Sequence, residues 1–398
     1  MTENSPTDVV IVDAVRTPSG RGRTGGALAE VHPVDLLAQT IETLLQRSPA
    51  LDPGTVDDVM VGCVSQVGEQ SATPGRMAWL GAGLPAHVPA TTIDRKCGSS
   101  QQAVHFAAQA IASGQADVVV AGGVESMSRV VMGSARMGAD PYGVRVAERF
   151  APGLVSQGVA AELVAARWKL SRAELDDYSV RSHELAAAAQ DSGAFDREVI
   201  AVDTPAGPVA RDETIRRGTT SAKLGELRAV FETPELAARF PEIDWSVTAG
   251  NSSQITDGAS ALLVMSRAHA DRLGLTPRAR VHSMAVVGDD PLLMLTGPIP
   301  ATRKVLDRAG VALADIEHIE LNEAFAPVPL AWLAEFDVDP ARVNPRGGAI
   351  ALGHPLGASG TRLMTTMLHA LEDNDQRFGL QLMCEAGGMA NATLIERL

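Results

Sequence analysis

The chain has 398 residues, 45% hydrophobic and 21% charged, with 48 acidic and 34 basic side chains for a net charge of −14. That length holds two or three packed domains, and that charge excludes an extended nucleic-acid face while leaving room for a local basic patch. Three cysteines (Cys63, Cys97, Cys384) exclude a disulfide framework and lack metal-ligand spacing. Met1–Asp8 is polar and acidic, unlike a secretion signal, and no run of about 18 apolar residues exists to span a membrane. A reducing cytoplasm is therefore the expected compartment, with no membrane or nucleic-acid partner.

Asp8–Ala14 (DVVIVDA) reads as a buried strand. A loop through Arg16-Thr17-Pro18 and the Gly-rich Ser19–Gly26 follows. Pro33–Arg47 reads as an amphipathic helix, with Leu36, Leu37, Ile41, Leu44 and Leu45 on one face. Val56–Val64 is a second strand, in which Cys63 is expected to be core. A short helix is expected at Arg76–Leu80 and a β-branched strand at Ala90–Ile93.

Cys97 comes next, in Asp94–Ala103 (DRKCGSSQQA), between that strand and an Ala-rich helix at Ala103–Ser113. Free N–H groups and the helix dipole at such a turn favour a thiolate. The same N–H groups suit an oxyanion on a carbon bonded to the sulfur. The alternative for this stretch is a buried cysteine that packs as a small hydrophobe. Asp117–Gly123 (DVVVAGG) is a third strand.

Residues 127–245 differ in texture. Long Ala-rich helices are expected at Val159–Trp168 and Arg172–Ser192, the second opened by the capping box Ser171–Glu174. This block reads as an inserted lid. Its segment Arg211–Arg228 carries Arg211, Arg216, Arg217, Lys223 and Arg228, either a phosphate-binding patch or a solvated charged loop. After the small-residue loop Thr248–Gly258, a helix and strand are expected within Ala259–Ser266.

From Arg278 the first pattern returns. Ala279–Val287, Pro300–Ala309, Ile316–Leu321, Arg342–Leu368 and Leu380–Gly388 repeat the earlier elements in order, and the strands at 117–123 and 380–388 both end in Ala-Gly-Gly. This is an internal duplication. Where the first half has Cys97, the second has Gly353-His354-Pro355-Leu356-Gly357-Ala358-Ser359-Gly360. Halves packed about a pseudo-twofold axis would bring Cys97 and His354 face to face. The Gly-rich run matches neither G-x-G-x-x-G nor a P-loop.

Together, Asp94–Ala103, Thr248–Gly258, Asn322-Glu323-Ala324-Phe325-Ala326, Gly347–Gly360, Cys384–Gly388 and Arg16-Thr17-Pro18 resemble the thiolase family over nearly the whole chain. The resemblance implies an α/β fold of five αβαβα layers in two duplicated halves with an inserted lid. The implied boundaries are 1–126 plus 246–277 for the first half, 127–245 for the lid and 278–398 for the second half. It implies a homodimer or homotetramer. It makes Cys97 the nucleophile, His354 its activating base, Cys384 the second acid/base and Asn322 the holder of an oxyanion-hole water. The backbone N–H groups of Cys97 and Ala386 would form the other oxyanion hole. Coenzyme A contacts carry over to Arg216, Lys223, Ala249, Ser253, Met294 and Phe325.

The activity implied is thiolytic cleavage of 3-oxoacyl-CoA by coenzyme A through an acyl-cysteine, giving acetyl-CoA and a shortened acyl-CoA. Coenzyme A is the co-substrate, and no tightly bound cofactor or metal is required. Two departures stand out. Ala386 occupies the first place of a run that is commonly three glycines, two residues after Cys384, and Ser156-Gln157 replaces a His-Met or Pro-Met pair in the lid, which bears on substrate range. A biosynthetic acetoacetyl-CoA thiolase is the alternative reading. A silent thioester-binding relative, a decarboxylating condensing enzyme and a cysteine hydrolase each leave Cys97, His354, Asn322 and Cys384 together unexplained.

Overall fold

The computed structural model describes residues 8–398; of the segment read above as lacking a secretion signal, residues 1–7 lie outside these. In the first half, β1 (Val9–Arg16) and β2 (Gly20–Arg21) precede α1 (Pro33–Gln46). Pro33 opens α1 where its missing N–H costs nothing, and His32 Nδ1 accepts the N–H of Val34 at 3.2 Å. β3 (Asp58–Gly62), α2 (Pro74–Gly81), β4 (Ala90–Ile93), α3 (Ser99–Ala112) and β5 (Val118–Ser126) follow. The lid carries α4 (Gly143–Arg149), α5 (Gln157–Trp168), α6 (Arg172–Asp191), α7 (Ser221–Gly225) and α8 (Pro234–Arg239). The chain returns through β6 (Thr256–Ser266) and α9 (Arg267–Leu273). The second half is β7 (Ala279–Gly288), α10 (Pro298–Ala309), β8 (His318–Leu321), α11 (Pro327–Glu335), α12 (Ala349–Leu352), α13 (Ser359–Asp373), β9 (Phe378–Glu385) and β10 (Met389–Arg397).

The strand order is β4-β3-β5-β6-β1-β7-β10-β9-β8. It reads as two mirrored sets joined at one seam, the antiparallel pairs Val10↔Arg280 and Ile11↔Ala279. In the first set β3 pairs in parallel with β4 and β5, and β6 runs antiparallel between β5 and β1. In the second, β8 and β9 are parallel and β10 runs antiparallel between β9 and β7.

Three apolar clusters define the layers. One lies outside the first sheet, under α1 and α2, with Leu36, Leu37, Ile41 and Leu44 packed on Val59, Val120 and Leu263. One lies outside the second sheet, where Ile299, Val305 and Trp332 pack on Leu380, Leu382 and Leu394 and α5 of the lid joins them. Between the sheets, Val104, Ala107 and Ile111 of α3 and Met364, Met367 and Leu371 of α13 share a third cluster. Both helices are thus covered on two sides, so their polar residues are buried as well. Each fully buried leucine contributes about 1.5–3 kcal/mol, so burial of an amphipathic face, rather than helix propensity alone, holds α1 in place.

The structure departs from the sequence reading at four places. The helix after Cys97 begins at Ser99 and not Ala103. Its polar first turn is stabilised from the other half: Ser100 Oγ accepts the N–H of Thr361 at 3.0 Å, and Gln101 Nε2 donates to Thr393 Oγ1 at 2.8 Å. Residues 259–266 contain no helix; all of Thr256–Ser266 is buried strand. An Ala/Leu run fits either period, and pairing on both sides with β1 and β5 decides it. β10 went unread, yet it is the counterpart of β6 and completes the repeat. The counterpart of β4 shrinks to one residue, Val343, bridged to Ile319.

The halves also approach backbone to backbone where β5 meets the turn before α13. A Cβ at Gly123 would overlap the carbonyl oxygen of Gly357. One at Gly357 would lie 2.6 Å from Val124 O and 2.7 Å from Cys63 Cα. Only glycine fits there.

Candidate active site

Cys97 ends the turn between β4 and α3. Lys96 takes φ +51° and Gly98 caps the helix, so the sulfur is delivered to the helix start. It is 4% exposed and packs against Leu356, Leu363 and Met383. Burial and the nearby Glu385 push its thiol up to about 12, opposed by the Gln157 side chain and the N–H groups of Cys97 and Ala386, which face the sulfur. These N–H groups favour the thiolate, but desolvation outweighs them. Cys384, near the end of β9, is wholly buried. Burial, Cys97 and Glu385 hold its thiol well above the usual range, while the Asn322 side chain pulls the other way. Cys63, also buried, is structural, its Cα set against Gly357.

His354 sits in the matching turn before α13, after Gly353 at φ +81°. Loop 248–258 of the first half holds this turn: His354 N–H lies 3.1 Å from both Gln254 O and Thr256 Oγ1. Gln254 Nε2 donates to Ile350 O and Thr214 O, each at 2.9 Å. The His354 ring has a defined tautomer. Nδ1 lies 2.6 Å from Ser359 Oγ, whose own proton goes to Pro355 O at 2.8 Å. Ser359 therefore accepts, Nδ1 carries the hydrogen, and Nε2 keeps its lone pair. Burial and Arg362 depress the imidazole to about 3, so it is neutral. Asn322 Nδ2 lies 3.4 Å from Nε2, and Asn322 Oδ1 is buried with no donor among the described residues.

Glu323 fixes Asn322 in its place. Its carboxylate accepts from Tyr178 Oη (3.0 Å) and Ser182 Oγ (2.7 Å) of α6, from Asn344 Nδ2 (2.9 Å) and from Ile350 N–H (3.1 Å). Glu125 does the same for the His354 turn, accepting from Val64 N–H, Ser65 N–H, Gln70 Nε2 and Gly357 N–H at 2.9–3.0 Å. Four donors are what a buried carboxylate needs in place of water.

Cys97 and His354 open into one pocket of about 720 Å³, its mouth included, lined also by Gln157, Phe231, Ala249, Ser253, Phe325 and Leu356. The pocket is mostly apolar, and its rim carries the exposed Met132, Val230 and Ile255. Of the expected coenzyme A contacts, Ala249, Ser253 and Phe325 line it, whereas Met294 and Lys223 do not. Met294 is packed in the outer core of the second half, and Lys223 Nζ donates to Gly218 O at 3.1 Å.

The basic stretch divides in two. Arg211 and Arg217 both pair with Asp191. Arg216 instead faces Arg21 and Arg23; partial burial and those two cations lower its pKa below the usual arginine value. The Arg21–Arg23 loop borders the pocket, since Gly22 N–H donates to Ile255 O at 2.9 Å. Gln157, Ser359, Arg21 and Arg23 were not singled out from the sequence for these positions. Ser359 lay within the Gly-rich run around His354, and Gln157 was marked only for substrate range. Among the described residues, no group of three or more His, Cys, Asp or Glu could hold a metal, and no helix is long and apolar enough to cross a membrane.

The duplicated halves and the pocket shared by Cys97 and His354 fit an acyltransferase that works through a cysteine. Comparison narrows it. Residues 9–268 match the thiolase N-terminal domain and residues 275–397 the thiolase C-terminal domain. The chain is 49% identical to the steroid 3-ketoacyl-CoA thiolase FadA6 of Mycobacterium tuberculosis, over 98% of this chain and 95% of that one. It is 44% identical to a 3-ketoacyl-CoA thiolase of Aeromonas salmonicida, over 98% and 100%. The crystal structure of the Bacillus anthracis acetyl-CoA acetyltransferase matches with a TM-score of 0.85 at 35% identity, covering 98% of this chain and 99% of that chain. The chain belongs to the thiolase family, and it is an acyltransferase of the degradative type.

Proposed function

We propose that this thiolase cleaves 3-oxoacyl-CoA with coenzyme A, releasing acetyl-CoA and a shortened acyl-CoA. The observation that carries the reading is the neutral His354 with its Nε2 lone pair, sharing one pocket with Cys97. Nε2 takes the Cys97 proton, and the sulfur adds to the C3 ketone. The N–H groups of Cys97 and Ala386, which already face the sulfur, hold the resulting oxyanion. Collapse breaks the C2–C3 bond. The acyl group stays on Cys97 and the electron pair leaves as the acetyl-CoA enolate, whose oxygen is held by protonated His354 and an Asn322-bound water. Cys384 gives its proton to C2. Before the second half-reaction the proton on His354 passes to the Cys384 thiolate, and neutral His354 then takes the thiol proton of coenzyme A. The coenzyme A sulfur attacks the acyl carbonyl, and His354 returns its proton to Cys97.

Arg216, with Arg21 and Arg23 beside it, supports a site for a coenzyme A phosphate at the pocket rim; Lys223 and Met294 would act from outside the pocket. The first half takes residues 1–126 and 246–277, the lid 127–245 and the second half 278–398, a division supported by the β5–β6 pairing across the insertion. The strand β4, with β3 as its single partner, leaves an edge that supports self-association as a dimer or tetramer. Three free, buried cysteines fit a cytoplasmic location.

The substrates we favour carry acyl groups larger than acetoacetyl, branched or ring-bearing. The apolar pocket with its open apolar rim, and the relative whose name specifies a steroid 3-ketoacyl-CoA, support this. One contact of this size discriminates by roughly 10–200-fold. The test is kcat/KM for acetoacetyl-CoA beside a medium-chain and a fused-ring 3-oxoacyl-CoA. A clear preference for acetoacetyl-CoA defeats the substrate assignment; failure to release acetyl-CoA from any of them defeats the reaction.

A further inference from the structure

Three buried carboxyls surround the reacting groups, and they are not alike. Glu125 and Glu323 each accept four hydrogen bonds. Among the described residues Glu385 accepts none: both carboxyl oxygens are buried without a hydrogen-bond partner. It ends β9, directly after Cys384, and its carboxyl lies against Gly98, where a Cβ would overlap Oε1. It therefore sits beneath the peptide that delivers Cys97, and its charge is felt at both Cys97 and Cys384.

Few groups face it. The turn before α3 contributes Cys97 and Arg95, and its own strand contributes Cys384. β10 brings the Asn391 N–H, which lies near the carboxyl but outside hydrogen-bonding geometry. His105 of α3 contacts Asn391 rather than Glu385, and burial and Arg95 keep it neutral, near 3.

We infer that Glu385 is a positioning residue that acts on the thiol pair through its charge. As the neutral acid it leaves Cys97 and Cys384 able to carry the transient negative charge of each half-reaction; as the carboxylate it opposes that charge. The inference rests on the roles proposed above for the two cysteines. A carboxylate deprived of water and donors is costly, and burial, only partly offset by Arg95, raises this one to about 8. Resting Glu385 is thus mostly the acid at neutral pH, and it ionises within the range in which a thiolase can be assayed. Ionisation puts a second negative charge behind Cys97, so the thiolate becomes harder to form as pH rises.

The test uses the full chain with iodoacetamide as the probe. Alkylation of Cys97 is followed by mass spectrometry from pH 6 to 10 in the wild type and in Glu385→Gln, with thiolysis measured alongside. The curves are expected to coincide near pH 6 and to part above pH 8, and from about pH 9 the variant should alkylate about tenfold faster, one pH unit beyond the Glu385 midpoint being a factor of about ten. The alkaline fall in thiolysis should move to higher pH in the variant. If Glu385→Gln does not fold, Glu385→Met, neutral and of similar volume, must give the same displacement. Alkylation curves that superimpose over the whole range overturn the inference, as does a folded variant whose Cys97 no longer reacts at pH 7. The alkylation measurement needs no turnover, so a wild type that fails to cleave 3-oxoacyl-CoA counts against the proposed reaction, while the curves still decide the role of Glu385.

Discussion

The turn before α3 and the turn before α13 are copies of one device. Each holds its functional side chain in the turn that leads into a helix of the middle layer, with glycine where the backbone must bend or approach closely. The first carries Cys97 and the second His354. Cys97 stands at the N-terminus of α3 and His354 in the turn between α12 and α13, yet neither is charged: Cys97 is pushed up to about 12 and His354 down to about 3. A helix terminus is worth about 0.3–1 kcal/mol. Raising a thiol from 9 to about 12 corresponds to roughly 4 kcal/mol. Burial therefore sets the resting state in both copies, which is a neutral thiol and a neutral base rather than an ion pair. What differs is the support around each copy. Cys97 has N–H groups and Glu385; His354 has Ser359 and Asn322.

The largest way to break the comparison is to remove the first copy's side chain. Cys97→Ala should abolish acyl-enzyme formation and lower thiolysis by at least about 10⁴-fold, since loss of a nucleophile disables the whole unit. Mass spectrometry after mixing with substrate checks it; an adduct on Cys63 or Cys384 would reassign the nucleophile. Cys384→Ala should cost about 10²–10⁴-fold in turnover, the usual worth of a general acid. Acetylation of Cys97 by acetyl-CoA should persist in that variant, because the lost step is at the enolate. Normal turnover in it would remove Cys384 from the chemistry.

Ser359→Ala sharpens the comparison by touching only the second copy. With Nδ1–H unpaired the tautomer is no longer fixed, and kcat should fall about 10–100-fold with KM unchanged. Ser359→Thr should recover most of that loss. Because His354 titrates near 3, its base form is complete above about pH 4; an acid limb near 6.5 in wild-type kcat/KM would contradict this. The smallest effect lies outside both copies. Arg216→Ala should raise KM for coenzyme A about tenfold with little change in kcat. The effect should shrink with dephospho-CoA if Arg216 meets the 3′-phosphate; equal sensitivity would place the contact elsewhere.

Resemblance to the thiolase family brought in Asn322 and Cys384; the sequence by itself determined the duplication, most strands, the amphipathic α1 and the capping box at Ser171, and pointed to Cys97 and His354 as candidates. These are local signals: hydrophobic period, cap chemistry and glycine punctuation act over a few residues. Tertiary structure alone decided the rest. The 256–266 segment is strand because β1 and β5 flank it, and α3 begins at Ser99 because Thr361 and Thr393 stabilise its polar first turn from the other half. Arg216 is separated from Arg211 and Arg217 because Asp191 sits beside only two of the three. The protonation of Cys97, His354 and Glu385 was likewise beyond the sequence. It depends on how much water each group loses and which donors surround it, and residues distant in the chain supply both.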